Sequence, residues 1–132
     1  MITAIDTSVL LIVTRKEQNW EKWRATLTKA AREGPLVVCC VVFGEFSYGY
    51  TNTSVALERL YNLNINYDPI LPNTARHAYK NYTRNVFQIR DLPYYLISSH
   101  ALLQADRIAV ESKTDTGHYY SGCSILRKEY GK

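Results

Sequence analysis

Three acids, Asp6, Glu45 and Asp115, stand where a carboxylate can do chemistry rather than only solvate a surface. Asp6 closes the short apolar run Met1 to Ile5 and is followed by Thr7-Ser8-Val9-Leu10-Leu11. An acid that ends a buried strand just before small hydroxyl residues sits at the carboxyl edge of a sheet, where α/β proteins collect ligands and metals. Glu45 lies near a second strand-to-helix junction, and Asp115 leaves the carboxyl end of a fourth strand. Carboxylates about 4 Å apart repel by roughly 4 kcal/mol per pair at an effective dielectric of about 20, so a cluster is tolerated only if protonated, paired with cations or loaded with metal. Hard oxygen ligands favour Mg²⁺ or Mn²⁺. Such an ion polarises a phosphoryl oxygen, makes bound water a better nucleophile and stabilises the leaving oxygen. The three acids therefore suggest a metal-dependent phosphodiesterase site.

Each acid also has a plainer role open to it. Asp6 can cap the turn beginning at Thr7. In Thr114-Asp115-Thr116-Gly117, ordinary turn chemistry accounts for both the Asp and the Gly. Glu45, amid Val41, Val42, Phe43 and Phe46, is expensive to bury unless it binds metal or meets a buried Arg or Lys. His100 lies on an apolar helix face, where a hydrogen-bonded core residue is a simpler reading than a base or ligand.

The elements that position these residues alternate short apolar runs with longer helical periods, the pattern of an α/β domain. A strand near Ile2 to Ile5 precedes a helix between about Glu17 and Glu33, with Trp20, Trp23, Leu27, Ala30 and Ala31 on one face, stopped by Gly34-Pro35. Leu36 to Cys40 reads as a second strand buried on both faces and runs into Val41 to Tyr50, which holds Glu45. Thr53 offers an N-cap for a helix through Leu63 with Leu57, Leu60 and Tyr61 inward, and Ile65-Asn66-Tyr67 is a third strand. From Pro72 to about Phe87, Ala75, Tyr79, Tyr82 and Val86 form an apolar stripe while Arg76, Lys80 and Arg84 follow at i, i+4, i+8. That basic ridge is either a solvated face or a phosphate contact, since like charges at this spacing mildly destabilise a helix. After Asp91, which reads as a cap, Pro93 opens a helix to about Leu103 with Leu96, Ile97, His100 and Leu103 on its apolar side. Arg107 to Val110 is the fourth strand, and Cys123 to Leu126 offers a short last one.

Length and composition set the bounds. At 132 residues and 46% hydrophobic, the chain suits one domain over residues 1–132 with a real core. Its longest apolar stretch, Val37 to Phe43, falls far short of the roughly 18 residues of a membrane span, and the start lacks the pattern of an export signal. A cytoplasmic protein with no membrane association is expected. Cys39, Cys40 and Cys123 make neither an even disulfide set nor a metal spacing and read as small buried hydrophobes in a reducing compartment. Sixteen Lys and Arg against twelve Asp and Glu give a formal charge of +4, which makes a polyanionic partner plausible. Eleven tyrosines could stack on bases or serve as core and interface residues. A flavodoxin-like nucleotide-binding reading lacks a glycine-rich phosphate loop, and a Ser-His-Asp hydrolase lacks a G-x-S-x-G elbow.

Taken in order, the motifs resemble PIN domains, and within them the VapC-like toxins of toxin-antitoxin pairs. Ile5-Asp6-Thr7-Ser8-Val9-Leu10 is similar to the family's opening strand, with its first acid and a hydroxyl residue two places on. Glu45-Phe46-Ser47-Tyr48-Gly49 is similar to its second motif, Glu followed by Gly four residues later. Leu96 to Arg107 resembles the helix and turn of the third, and Thr114-Asp115-Thr116-Gly117-His118-Tyr119 the fourth. The resemblance implies a three-layer α/β/α fold with a mainly parallel sheet of four or five strands. It implies an Mg²⁺- or Mn²⁺-dependent endoribonuclease, the toxin of a type II pair, with an antitoxin partner and a homodimer. Asp6 and Asp115 would anchor the metal, and Glu45 would bind through water or orient the attacking water. Ser8 and Thr114 would support them by hydrogen bonds. Arg76, Lys80, Arg84 and Arg90 are the candidates for holding the RNA backbone.

One departure matters more than the matches. The family's third acid usually stands just after the proline that opens its helix, and the residue here is Tyr94. Asp91 and Glu111 are candidates to replace that carboxylate. Either a three-acid nuclease or a binding module for RNA or a protein that has lost catalysis follows, with the phenol acting as a substitute donor or blocking the cleft.

Overall fold

The computed structural model describes residues 1–84, 88–111 and 119–128. Thr114, Asp115, Val86 and Phe87 lie outside them. Five short strands, β1 Thr3–Ile5, β2 Leu36–Val38, β3 Ile65–Tyr67, β4 Arg107–Ala109 and β5 Ile125–Leu126, form one sheet in the order β3-β2-β1-β4-β5, parallel at every pairing. Every residue of β1 and β2 is buried, which is why both read as unbroken runs of apolar and small residues.

The described helices are α1 Thr7–Arg15, α2 Trp20–Glu33, α3 Cys40–Ser47, α4 Thr53–Asn62, α5 Pro72–Arg84 and α6 Leu92–Gln104. The connections from β1 to β2 and from β2 to β3 step one way across the sheet, and the connection from β3 to β4 steps back past both. Right-handed crossovers therefore put α1 to α4 on one face and α5 and α6 on the other, the expected three layers.

Helix α1 occupies a stretch to which the sequence reading gave no element. Its β-branched Val, Ile and Thr residues lower the helical propensity, but Asp6 caps it and Val9, Leu10 and Val13 bury one face. Lys16 ends it in the left-handed region at φ 52°. In α4 the cap is Asn52, whose side chain accepts from the Val55 N–H at 3.0 Å, not Thr53. The buried pair is Ala56 and Leu60, while the expected inward residues Leu57 and Tyr61 are exposed. In α5 the buried residues are Thr74 and Ala78, small enough to let α5 lie close along α6, and the larger Tyr79 is left half exposed. Helix α6 buries Tyr95, Ile97, Ser98, Ser99, His100 and Ala101, whereas Leu103, expected inward, faces solvent. His100 fits the core reading, its Nε2 lying 2.8 Å from Asp68 Oδ2. All three cysteines are free, but only Cys39 is fully buried and Cys40 is exposed at the start of α3. No helix among the described residues is long and apolar enough to cross a membrane.

Candidate active site

The sheet order fixes where a site can form. The chain leaves β1 toward β2 on one side and returns to β4 on the other, so the crevice beyond the carboxyl ends of β1 and β4 is the topological switch point. Asp6 occupies it. Its own N–H continues the ladder to the Ala109 carbonyl at 3.0 Å, so the side chain begins where sheet pairing ends.

The Asp6 carboxylate is buried and held from two directions. Oδ2 accepts from the Ser8 N–H at 3.0 Å and from the Ser8 hydroxyl at 2.5 Å, which makes Asp6 the N-cap of α1. Oδ1 accepts from the hydroxyl of Tyr120 at 2.8 Å, across 114 residues of chain. Burial and the neighbouring Asp6 push the Tyr120 phenol well above its ordinary range, so it stays protonated and donating. Tyr120 was not singled out from the sequence. One tyrosine among eleven carries no local signal, and only its place just past the fourth motif hints at this edge.

Glu45 reaches the same edge from α3. Its Oε1 accepts from the Thr7 hydroxyl at 2.6 Å, which ties it to the first turn of α1 beside Asp6. The expectation that Glu45 is buried among apolar neighbours is not met: Val42 and Phe46, four apart, take the inner face of α3, and Glu45 projects from its exposed side. It therefore needs no buried cation.

The position expected to carry a third acid holds an aromatic stack instead. Tyr94 lies against Tyr119 with ring centroids 4.6 Å apart and planes 20° from parallel, and Tyr95 meets the same Tyr119 edge-on. The Tyr119 hydroxyl donates to Asp91 Oδ1 at 2.8 Å. Asp91 stands at the N-cap position of α6 but makes no capping bond with its side chain. Its backbone is already helical there, with φ –86° and ψ –15°, unlike the extended backbone usual at a cap. Glu111 is likewise taken up, accepting from Lys128 Nζ at 2.6 Å and from the Trp23 indole N–H. Burial works to raise its pKa, but these two donors outweigh it and hold the carboxyl below the usual range. The Glu111 N–H in turn lies 3.4 Å from Ser8 Oγ, so the chain leaving β4 touches the support of Asp6.

The donor set suits a hard cation. A carboxylate offers about four lone-pair directions, and Asp6 uses three of them on protein donors, leaving one directed elsewhere. Among the described residues no three His, Cys, Asp or Glu side chains come together as a metal cluster. Asp115 and Thr114, the other expected members, fall outside those residues. Arg76, Lys80 and Arg84 are all on the exposed side of α5, and exposed Arg90 lies in the short 3₁₀ turn Ile89–Asp91.

Comparison with curated proteins finds no match. Among solved structures the fold is similar to VapBC2 from Rickettsia felis bound to a DNA fragment from their promoter, with a TM-score of 0.74 and 14% identity over 98% of this chain and 100% of the other. It is also similar to FitAB bound to an IR36 DNA fragment, with a TM-score of 0.64 and 18% identity over 96% and 94% of the two chains. The sequence model of the PIN domain matches residues 3–115, which span the first and last of the acids named above. With that match over most of its length, the chain belongs to the PIN domain family.

Proposed function

We propose that this protein is a metal-dependent endoribonuclease, the toxin of a type II toxin-antitoxin pair, acting as a single domain over residues 1–132. The observation that carries the reading is Asp6, fixed at the switch point by Ser8 and Tyr120 with Glu45 tied to the adjoining Thr7. Asp6, Glu45 and Asp115 would hold Mg²⁺ or Mn²⁺, with Ser8 and Thr114 supporting them. Bound there, such an ion supplies polarisation of a phosphoryl oxygen, a more acidic water and charge compensation at the leaving oxygen. Asp6 contributes an oriented negative charge that cannot swing away. Glu45, exposed and held through one oxygen, accepts a proton from an attacking water. Arg76, Lys80, Arg84 and Arg90 bind the RNA backbone as screened point charges. The VapBC2 and FitAB likeness supports an antitoxin partner. Exposed Tyr48 and Tyr61 supply apolar surface for it or for a homodimer.

The second reading, a PIN-like module that binds RNA or protein without cutting, is favoured by the Tyr94–Tyr119 stack where a carboxylate is expected. RNA cleavage by wild type in Mg²⁺ or Mn²⁺, beside an Asp6→Asn, Asp115→Asn double mutant purified identically, separates them. Cleavage lost in the double mutant supports the nuclease. Equal cleavage by both, or none by either, favours the binding module.

A further inference from the structure

We propose that Tyr120 is a positioning residue for Asp6, a phenol that sets the rotation of the carboxylate and so the affinity of the site for a divalent cation. The inference rests on the nuclease reading above and deepens it.

A carboxylate that only capped α1 would be held through Oδ2 alone. Ser8 supplies both of those bonds from within the first turn, and they restrain the carboxylate's rotation about the Cβ–Cγ bond from one oxygen only. The Tyr120 hydroxyl takes Oδ1 at 2.8 Å from the far side of the switch point. Donors on both oxygens fix the carboxylate plane. The phenol is itself held, because Tyr120 is only 3% exposed, and the ring of Tyr119, next to it in the chain, packs against Tyr94 and Tyr95. Tyr94 of that cluster stands where the family carries an acid, and the residue after Tyr119, Tyr120, hydrogen-bonds Asp6. Groups that orient a ligating side chain typically change metal affinity by about 10- to 100-fold when removed.

The test is Mn²⁺ affinity by calorimetry for wild type, Tyr120→Phe and Tyr119→Phe, with thermal melts to confirm folding. Tyr120→Phe is expected to bind Mn²⁺ at least about tenfold more weakly, as such supporting groups do, while Tyr119→Phe, which removes the bond to Asp91 and keeps the packed ring, stays within about twofold of wild type. Unchanged or tighter binding by folded Tyr120→Phe overturns the proposal, since a phenol that merely filled space or competed for Asp6 would give that result. If wild type itself binds no Mn²⁺ at millimolar concentration, the nuclease reading fails and the proposal falls with it. Should Tyr120→Phe not fold, the wild-type hydroxyl protons carry the test by NMR. Mg²⁺ must shift the Tyr120 resonance with the midpoint of Mg²⁺ binding and leave that of Tyr119 in place, and a Tyr120 resonance indifferent to Mg²⁺ overturns the proposal.

Discussion

Asp6 performs two structural duties before any chemistry: it caps α1 through Ser8 and satisfies the buried hydroxyl of Tyr120. Asp6→Ala should therefore destabilise the fold by about 1–3 kcal/mol, the cost of a lost cap plus an unsatisfied buried donor. Asp6→Asn, which keeps one acceptor oxygen for Ser8 and turns an amide N–H toward the Tyr120 oxygen, should lose less, and urea denaturation of the two side by side measures the difference. Glu111 yields a prediction in pH. Its folded pKa is lowered, so its contribution is present above the unfolded value of about 4.3 and is lost as pH falls through the folded one. Lys128→Met should be less stable than wild type at pH 7, and the gap should begin to narrow in urea titrations only below about pH 4.3 and close once the pH has fallen below the lowered folded value, where Glu111 is protonated in both states. Asp6 was legible in the sequence because its neighbours alone place it, between an apolar run and two hydroxyl residues. Tyr120 was not, because its role is set by a contact 114 residues away. The place of Glu45 beside the first turn of α1 was legible from its strand-to-helix junction but its surroundings were not, since linear flanks of Val and Phe say nothing about which side of a helix an acid takes.

At the scale of elements, the strands and their order of appearance were readable because central parallel strands are continuously apolar. Helix α1 was not, because a run rich in Val, Leu and Ile suggests a strand until a cap and a sheet face override it. Leu60 was placed inward rightly on α4, but Leu57 and Tyr61 were put there in place of Ala56, and the stripe on α5 lay one residue off, for a common reason. Large residues attract the eye, yet the buried pairs Ala56 and Leu60, and Thr74 and Ala78, are chosen by how closely a helix must approach its neighbour. The cap of α4 offers a check on this level. Asn52→Ala should cost about 1 kcal/mol by loss of the bond to the Val55 N–H, whereas Thr53→Ala should be nearly neutral, both read from chemical denaturation.

For the whole molecule, a charge of +4 gains meaning from where it lies, with Arg76, Lys80 and Arg84 along the exposed side of α5. If that ridge tracks a single strand of RNA, replacing all three by Ala should reduce the slope of log affinity against log salt by about 2, at roughly 0.7 per phosphate contact. Fluorescence anisotropy across a salt series reads this, and an unchanged slope would assign the ridge to solvation. The order of the sheet has a consequence for how the molecule comes into being. The central strand β1 is the first of the five strands to be made, and its two neighbours are β2, the next strand in the chain, and β4, which follows only after β3. A chain still on the ribosome can pair β1 with β2, but it cannot complete the sheet around Asp6 or bring Tyr120 to it until β4 and the segment holding Tyr120 have emerged. The acid site is thus withheld from a nascent chain until β4 and Tyr120 have been made, and a truncated product ending before Tyr120 would carry Asp6 without its partner.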